Sequence, residues 1–148
     1  MEYLISTEPS WLQLDVIHGF LAEQSYWARG IPREIVARSL VNSLCFGVYA
    51  AEESGALRQV GFGRVTTDKA TFAYLSDIFI LPEHRGKGLS NRLMEAIVAH
   101  PDVQGLRRWL LATADAHGLY RKFDFTPLSQ PERLMERLDR DVYNRTAN

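Results

Sequence analysis

The chain has 148 residues, of which 46% are hydrophobic and 24% charged, and its formal net charge at pH 7 is −1. This length and composition predict a single globular domain with its own core. The balanced charge argues against a nucleic-acid partner, and no apolar run reaches the roughly 18 residues of a membrane span. The acidic N-terminus lacks a signal-peptide pattern, so we expect a cytoplasmic protein.

Hydrophobic periodicity divides the chain into alternating strand and helix patterns. Asp15–Gln24 carries an apolar stripe with helical spacing, and Pro32 is well placed to begin the next helix. The predicted elements are, in chain order, a strand at 3–6, helices at 15–24 and 32–44, strands at 45–52, 59–68 and 70–80, a helix at 89–98, a strand at 107–113, a short helix at 115–123, and late strand material at Phe125 and 133–138.

The short connections around Gly55 and around Asp68-Lys69 predict an antiparallel meander of the three long strands. Because these strands follow one another directly, a doubly wound parallel sheet is excluded. The sequence therefore predicts a mixed α/β domain of the α+β type over residues 1–138, with helices packed on a mostly antiparallel sheet. Residues 139–148 are polar, and we expect a loose tail there.

One strand-to-helix junction has an unusual composition. Arg85, Gly86, Lys87 and Gly88 separate the strand at 70–80 from the helix that follows. The first N–H groups of a helix are unpaired and attract anions, and glycine lets a phosphate approach the backbone closely. The junction can therefore cradle a phosphate. A basic surface loop would have the same composition, and the spacing matches neither a Walker loop nor a dinucleotide fingerprint.

The junction resembles motif A of the GNAT superfamily of N-acetyltransferases, which reads Arg/Gln-x-x-Gly-x-Gly/Ala after a strand. Arg85, Gly88 and Ser90 occupy its three defined positions, and "HGLYRKFDF" (117–125) resembles the family's second signature. The resemblance covers about residues 3–138 and includes the element order. It implies the GNAT fold, with a central sheet of about six to seven strands flanked by about four helices.

This resemblance implies that acetyl-CoA is the cofactor. Its pyrophosphate would lie on the backbone of residues 85–90, which adds Leu89 to the junction residues already named. Its pantetheine arm would lie along the edge of the fourth strand at Ile78, Phe79 and Ile80. Many relatives have an Asn where this chain has Thr113, so a contact from Thr113 is an open expectation. Two further departures, Ser90 in place of Gly or Ala and Asp124 in place of Gly, leave the cradle intact.

Two polar residues, Ser76 and Asp77, interrupt the apolar fourth strand. A buried carboxylate is costly unless it is hydrogen-bonded or partly hydrated. Acetylation of an amine needs a group that removes a proton, and Asp77 is our first candidate for that base. A solvent-facing position or a strand-end hydrogen bond would explain the same residues equally well. The leaving thiolate needs a proton donor, and the resemblance assigns that role to Tyr120.

The acceptor is expected to be a small primary amine. Tyr26 and Trp27 can face an ammonium group through their rings, and Arg29 can bind a carboxylate. Packing of the rings on a helix, with a solvated arginine, is the alternative for this segment. The sequence offers no paired metal ligands, so no metal is expected, and the oligomer is a monomer or a homodimer. The alternatives for the whole protein are an acetyl-CoA sensor or interaction module with weak catalysis, or another phosphate-binding domain.

Overall fold

A computed structural model describes residues 2–146 as a five-stranded sheet with helices on both faces. The strands are β1 (Tyr3–Ser6), β2 (Leu44–Ala51), β3 (Leu57–Thr67), β4 (Phe72–Ile80) and β5 (Arg108–Leu111). The helices are α1 (Leu14–Glu23), α2 (Arg33–Val41), α3 (Leu89–Ala99), α4 (His117–Arg121) and α5 (Val142–Thr146). Short 3₁₀ turns lie at Pro9–Trp11, Pro82–His84, Pro101–Val103 and Pro131–Arg133.

The sheet order is the sequence order, β1-β2-β3-β4-β5. The first four strands pair antiparallel, as the short connections predicted, and β5 pairs parallel to β4. The parallel pair needs a crossover, and α3 is the helix within it. The predicted mixed, mostly antiparallel sheet and its helices are confirmed.

The sheet separates two apolar clusters. On one face, α3 buries Leu89, Leu93, Met94 and Ile97 against the strands, and Tyr120 of α4 belongs to the same cluster. On the other face, α1 and α2 pack against Phe62 and Phe79. Cys45 is buried in this second cluster as a free thiol, and burial raises the pKa of that thiol to about 11.

The strand count is lower than expected, because residues 2–146 form five strands instead of about six to seven. The predicted strand material at Phe125 and 133–138 is not strand, because no neighbouring strand pairs with it. Within residues 139–148, where a loose tail was expected, Val142–Thr146 form α5, and Tyr143 packs against the α1–α2 cluster. A strand propensity becomes a strand only when a partner supplies the ladder of hydrogen bonds.

A β-bulge shapes the middle of β4. Phe62 pairs with Phe79 and Arg64 pairs with Ser76, so Asp77 and Ile78 together oppose the single residue Gly63. Asp77 takes the extra position with a left-handed backbone, φ 59°. A side chain at Gly63 would start 2.6 Å from the Cδ1 atom of Ile78, so a larger residue opposite the bulge would force Ile78 to move.

Candidate active site

The two edges of β4 differ after its fourth residue. Phe72–Leu75 pair with Arg108–Leu111 of β5, and β5 then ends while β4 continues to Ile80. On its β3 side, β4 stays paired up to Ile80. The two parallel strands therefore part at Leu75 and Leu111, and the stretch from Ser76 to Ile80 has one edge without a strand neighbour among residues 2–146. An unpaired strand edge is a binding site for an extended ligand rich in amides.

The predicted phosphate cradle lies at the end of this edge. Gly86 and Gly88 both have left-handed backbones, with φ 77° and 74°, and Gly88 is the N-cap of α3. No side chain caps this helix start, so its first N–H groups have no side-chain acceptor. A Cβ atom built on either glycine would meet nothing within 4 Å. The loop thus leaves open space beside the N-terminus of α3, which is a helix of eleven residues.

The two cations of the loop, Arg85 and Lys87, differ in the contacts that they make. The Nε atom of Arg85 donates to the carbonyl oxygen of Ile80 at 2.9 Å, which ties the loop back onto β4. Lys87 is exposed and has no hydrogen-bond or ion-pair partner among residues 2–146. Leu89 and Ile80 point into the core, so they can contribute only backbone groups to a ligand. Arg85 therefore orders the loop, and Lys87 is the loop cation free to meet an anion.

Asp77 lies at the centre of a polar network. One carboxylate oxygen accepts from the Nε1 atom of Trp27 at 2.8 Å, and the other accepts from the Nε atom of Arg64 at 2.8 Å. The Asp77 and Arg64 side chains are only 10% and 21% exposed. Arg64 also donates to the hydroxyls of Ser43 and Thr66. In this structure Asp77 is a hydrogen-bonded carboxylate and not a solvent-facing one. Its role in proton removal stays a prediction.

The sequence did not identify Arg64 as part of the site. A single cation within the apolar strand "QVGFGRVTT" was the available signal. Its meaning depends on the register of β3 and β4, because the bulge at Asp77 puts the carboxylate within reach of Arg64. Ser76, the other polar residue of the strand, has a buried hydroxyl without a hydrogen-bond partner in the described structure.

The segment after α1 spans the gap where β4 and β5 part. Trp27 reaches β4 through Asp77, and the Tyr26 hydroxyl accepts from the backbone N–H of Ala114 just beyond β5 at 2.8 Å. The two rings meet edge to face, with centroids 5.0 Å apart. Both side chains are exposed, as is Arg29, which has no partner among residues 2–146. Tyr26 and Trp27 therefore form a strap across this gap.

Tyr120 lies on α4 beside the same gap. Burial, together with the nearby Tyr26 and Asp115, raises the pKa of Tyr120 to about 12. The phenol is therefore protonated throughout the neutral pH range. The Thr113 hydroxyl accepts from the N–H of Ala116 at 3.0 Å and so supports the first turn of α4. The structure brings Tyr120, Tyr26, Trp27 and Asp77 to one place.

Comparison with known proteins identifies the chain. The family model of the acetyltransferase (GNAT) domain matches residues 45–127, from the start of β2 to the segment after α4. The chain belongs to the GNAT acetyltransferase family. An inferred acetyltransferase of Gibberella zeae is 36% identical to this GNAT chain over 138 residues, which cover 82% of the chain and 77% of that protein.

Solved structures support the assignment of this GNAT acetyltransferase. A GNAT-family protein of Xanthomonas campestris pv. campestris is 50% identical, covers 97% of both chains, and superposes with a TM-score of 0.90. A protein of Clostridium acetobutylicum, inferred to be an acetyltransferase and crystallised with acetyl-CoA, shares the fold at 14% identity, with a TM-score of 0.63 and coverage of 93% and 95%. The fold and the family predicted from the sequence are therefore confirmed.

Two further properties bear on this GNAT acetyltransferase. Residues 2–146 contain no group of three or more His, Cys, Asp or Glu side chains arranged to hold a metal ion. Within the same residues, no helix has the length and apolar character needed to cross a bilayer.

Proposed function

We propose that this protein uses acetyl-CoA to acetylate the primary amine of a small molecule. The observation that carries the proposal is the continuity of the unpaired β4 edge with the uncapped start of α3. Together they offer backbone partners to an extended, amide-rich arm and then N–H groups to a pyrophosphate. The family uses acetyl-CoA, and the open space at Gly86 and Gly88 fits a phosphate group.

Acetyl-CoA supplies a thioester that an amine can attack. The chain's own contribution begins with position: the β4 edge holds one reactant and the Tyr26–Trp27 strap bounds the space for the other. Orientation of this kind can contribute about 7 kcal/mol or more to catalysis. Ile78 and Ile80 offer the backbone groups of the edge, while Gly86, Gly88 and Ser90 offer those of the cradle.

Tyr120 is the proton donor in this proposal. Its phenol is protonated at neutral pH, since burial raises its pKa to about 12. That value makes it a weaker acid than an exposed tyrosine. However, a departing thiolate in the same apolar surroundings is also less stable than in water, so its affinity for the proton rises in parallel.

Asp77 is better suited to position Trp27 than to accept a proton directly. Both of its oxygens already accept hydrogen bonds, one from the indole of Trp27 and the other from the guanidinium group of Arg64, and these bonds hold the two side chains in place. We propose that Asp77 fixes the indole of Trp27 as one wall of the acceptor site. The proton of the amine then leaves through water, and direct transfer to Asp77 is the alternative that mutation tests below.

The acceptor proposed here is an amino acid or a related zwitterion. Tyr26 and Trp27 present exposed aromatic rings to an ammonium group, and the unpaired guanidinium of Arg29 lies two residues after Trp27 in the chain. All three belong to one short segment, which suits a small ligand better than a protein surface.

The test measures free thiol released from acetyl-CoA in the presence of a panel of amines. Amino acids should be acetylated, and polyamines and protein lysines should be poorer acceptors. Binding of CoA without thiol release from any amine would favour the sensor role. Binding of ATP equal to that of CoA, measured by calorimetry, would contradict a site built for CoA.

A further inference from the structure

One face of the sheet is only partly covered by helices. Arg64 pairs in register with Cys45 of β2 and Ser76 of β4, and Cys45 belongs to the α1–α2 cluster. Because residues directly opposite each other in a sheet share a face, the Arg64 side chain lies on the α1–α2 face. Two positions further along β3, Thr66 and its register partner Tyr74 are exposed. The helical cover therefore ends near Arg64, and an open polar surface begins there.

Arg64 has more hydrogen-bond donors than its neighbours use. Its Nε atom donates to Asp77, and its Nη1 atom donates to the hydroxyls of Ser43 and Thr66 at 3.1 and 3.4 Å. The other terminal nitrogen, Nη2, has no partner among residues 2–146 and is not sealed from solvent. A guanidinium group always keeps its proton and offers five N–H donors in a fixed plane. Two of those donors therefore have no acceptor within the described chain.

The hydroxyls beside Arg64 add further unused donors. Ser43 and Thr66 each accept from the guanidinium, and neither hydroxyl donates to any group among residues 2–146. Ser76, the register partner of Arg64, has a buried hydroxyl with no partner in the same part of the chain. A buried polar group without a partner calls for an explanation, and an oxygen supplied by a ligand is one. Ser43, Arg64, Thr66 and Ser76 together form a donor patch.

The donor patch favours one kind of ligand group. Both oxygens of a carboxylate only accept, so one carboxylate can take hydrogen bonds from Nη2 and from a hydroxyl at once. An amide of the same shape replaces one oxygen with an NH₂ group, which cannot accept from Nη2, so it loses one of these bonds. Asp77 adds no net negative charge to the patch, because Arg64 balances it and both Asp77 oxygens already accept hydrogen bonds.

We propose that the donor patch binds a second carboxylate of the acceptor, so that the preferred acceptor is an amino acid with an acidic side chain. This inference rests on the proposed function, in which Arg29 holds the first carboxylate of a zwitterion. The patch adjoins the acceptor site, since Asp77 accepts from both Trp27 and Arg64. A single side chain thus separates the indole wall of that site from the guanidinium of the patch. Arg64 determines specificity in this arrangement.

The first experiment compares matched acceptors that differ in the charge of one group. Glutamate is set against glutamine, and aspartate against asparagine, with thiol release from acetyl-CoA as the measurement. For at least one pair, kcat/KM of the acid should exceed that of its amide about tenfold or more, the effect of a charge-assisted hydrogen bond. Acetylation of amino acids without preference for either acid would overturn this inference and leave the proposed function standing.

Variants of the patch locate the preference. Arg64→Lys keeps a cation beside Asp77 but removes Nη2, while Ser43→Ala/Thr66→Val removes two hydroxyls and leaves the ion pair in place. Each should bring the acid-to-amide ratio close to one. Arg58→Lys, at an exposed arginine of the same strand, is the control and should keep the wild-type ratio. A purely structural role would lower kcat/KM for both members of a pair and leave their ratio unchanged. A ratio that survives both patch variants would overturn the proposal.

A binding measurement separates failure of this inference from failure of acetyl transfer. CoA has no acetyl group to transfer, so CoA and an amino acid can bind together without reaction. With CoA at saturation and ionic strength held equal, the preferred acid should raise the Tm of the wild-type chain more than its amide does. This difference should vanish in Arg64→Lys. The same result without thiol release from any amino acid would refute the proposed transfer and support the patch, whereas equal Tm shifts for acid and amide would overturn the patch.

Discussion

The two edges of β4 have opposite roles in the same strand. Toward β3 the ladder runs to Ile80, interrupted only by the bulge at Asp77. Toward β5 it stops at Leu75, and the remaining edge faces the gap that the Tyr26–Trp27 strap spans. The paired edge holds the strand rigid, so the other edge can stay open without loss of order. In the proposed function, the point where pairing ends sets the binding geometry.

Removal of the proposed proton donor beside the open edge should have the largest effect. Tyr120→Phe removes one hydroxyl and should lower kcat about 10²- to 10⁴-fold, the usual contribution of a general acid. Calorimetry should show an unchanged Kd for CoA, because the cradle and the β4 edge are untouched. A kcat within threefold of wild type would show that water or another group protonates the thiolate.

The pH profile tests the same residue independently. Burial raises the pKa of Tyr120 to about 12, so the acid form persists to high pH. The wild-type kcat should therefore not fall between about pH 8 and about pH 10, where an ordinary tyrosine near pKa 10 would begin to ionise. A decline centred near pH 10 that Tyr120→Phe abolishes would contradict the raised pKa.

The end of the open edge can be closed by a side chain. Gly88→Val should weaken CoA binding about a hundredfold or more, equivalent to losing two charge-assisted hydrogen bonds. The matched control is Gly55→Val, because Gly55 also has a left-handed backbone and open space around it but lies in the β2–β3 turn. Both variants bear similar backbone strain. Equal CoA affinity in the two folded variants would move the cradle elsewhere.

Substitution of Asp77, the residue at the bulge, separates a role in positioning Trp27 from a role in proton transfer. Asp77→Asn removes the ion pair with Arg64 and should lower the free energy of unfolding by about 1.5–3 kcal/mol, because the pair is largely buried. In the positioning role, KM for the amine rises while kcat stays within a few fold. Trp27→Phe should produce the same rise in KM, and the double variant should add little. A loss of kcat above a hundredfold in Asp77→Asn alone would identify Asp77 as the base.

Substitution of Arg29 tests which acceptor binds beside the open edge. Arg29→Ala should raise KM for an amino acid about tenfold or more, since a charge-assisted hydrogen bond contributes about 1.5–3 kcal/mol. The amine formed by decarboxylation of that amino acid should be unaffected. The control is Arg58→Ala, because Arg58 is also an exposed arginine but lies on β3. Equal changes for both amines would assign Arg29 a structural role.

The smallest effect is expected within the paired part of the sheet. Tyr49 of β2 is fully buried, its hydroxyl has no hydrogen-bond partner within the described chain, and burial raises its pKa to about 12. Tyr49→Phe removes the unsatisfied group and should raise the free energy of unfolding by about 1 kcal/mol, with activity unchanged. A destabilised Tyr49→Phe would show that the hydroxyl is satisfied in solution.

Local sequence predicted what depends on neighbours along the chain. The "HRGKG" junction and the strand-helix order around it are readable because backbone conformation follows from glycine, proline and periodicity. The bulge at Asp77 and the ion pair with Arg64 could not be predicted in this way, because they arise from the register between two strands. The failed strand at 133–138 has the same cause: its propensity was visible, but the absence of a partner was not.

The burial of Cys45 affects how the protein tolerates its own product. Each acetyl transfer to an amine would release CoA with a free sulfhydryl. Once CoA is oxidised to its disulfide, an accessible cysteine thiolate can attack that disulfide, which forms a mixed disulfide and releases one CoA thiol. Cys45 has a pKa of about 11 and lies inside the α1–α2 cluster, so almost none of it is thiolate at neutral pH. The protein should therefore resist mixed-disulfide formation with CoA through many turnovers under oxidising conditions.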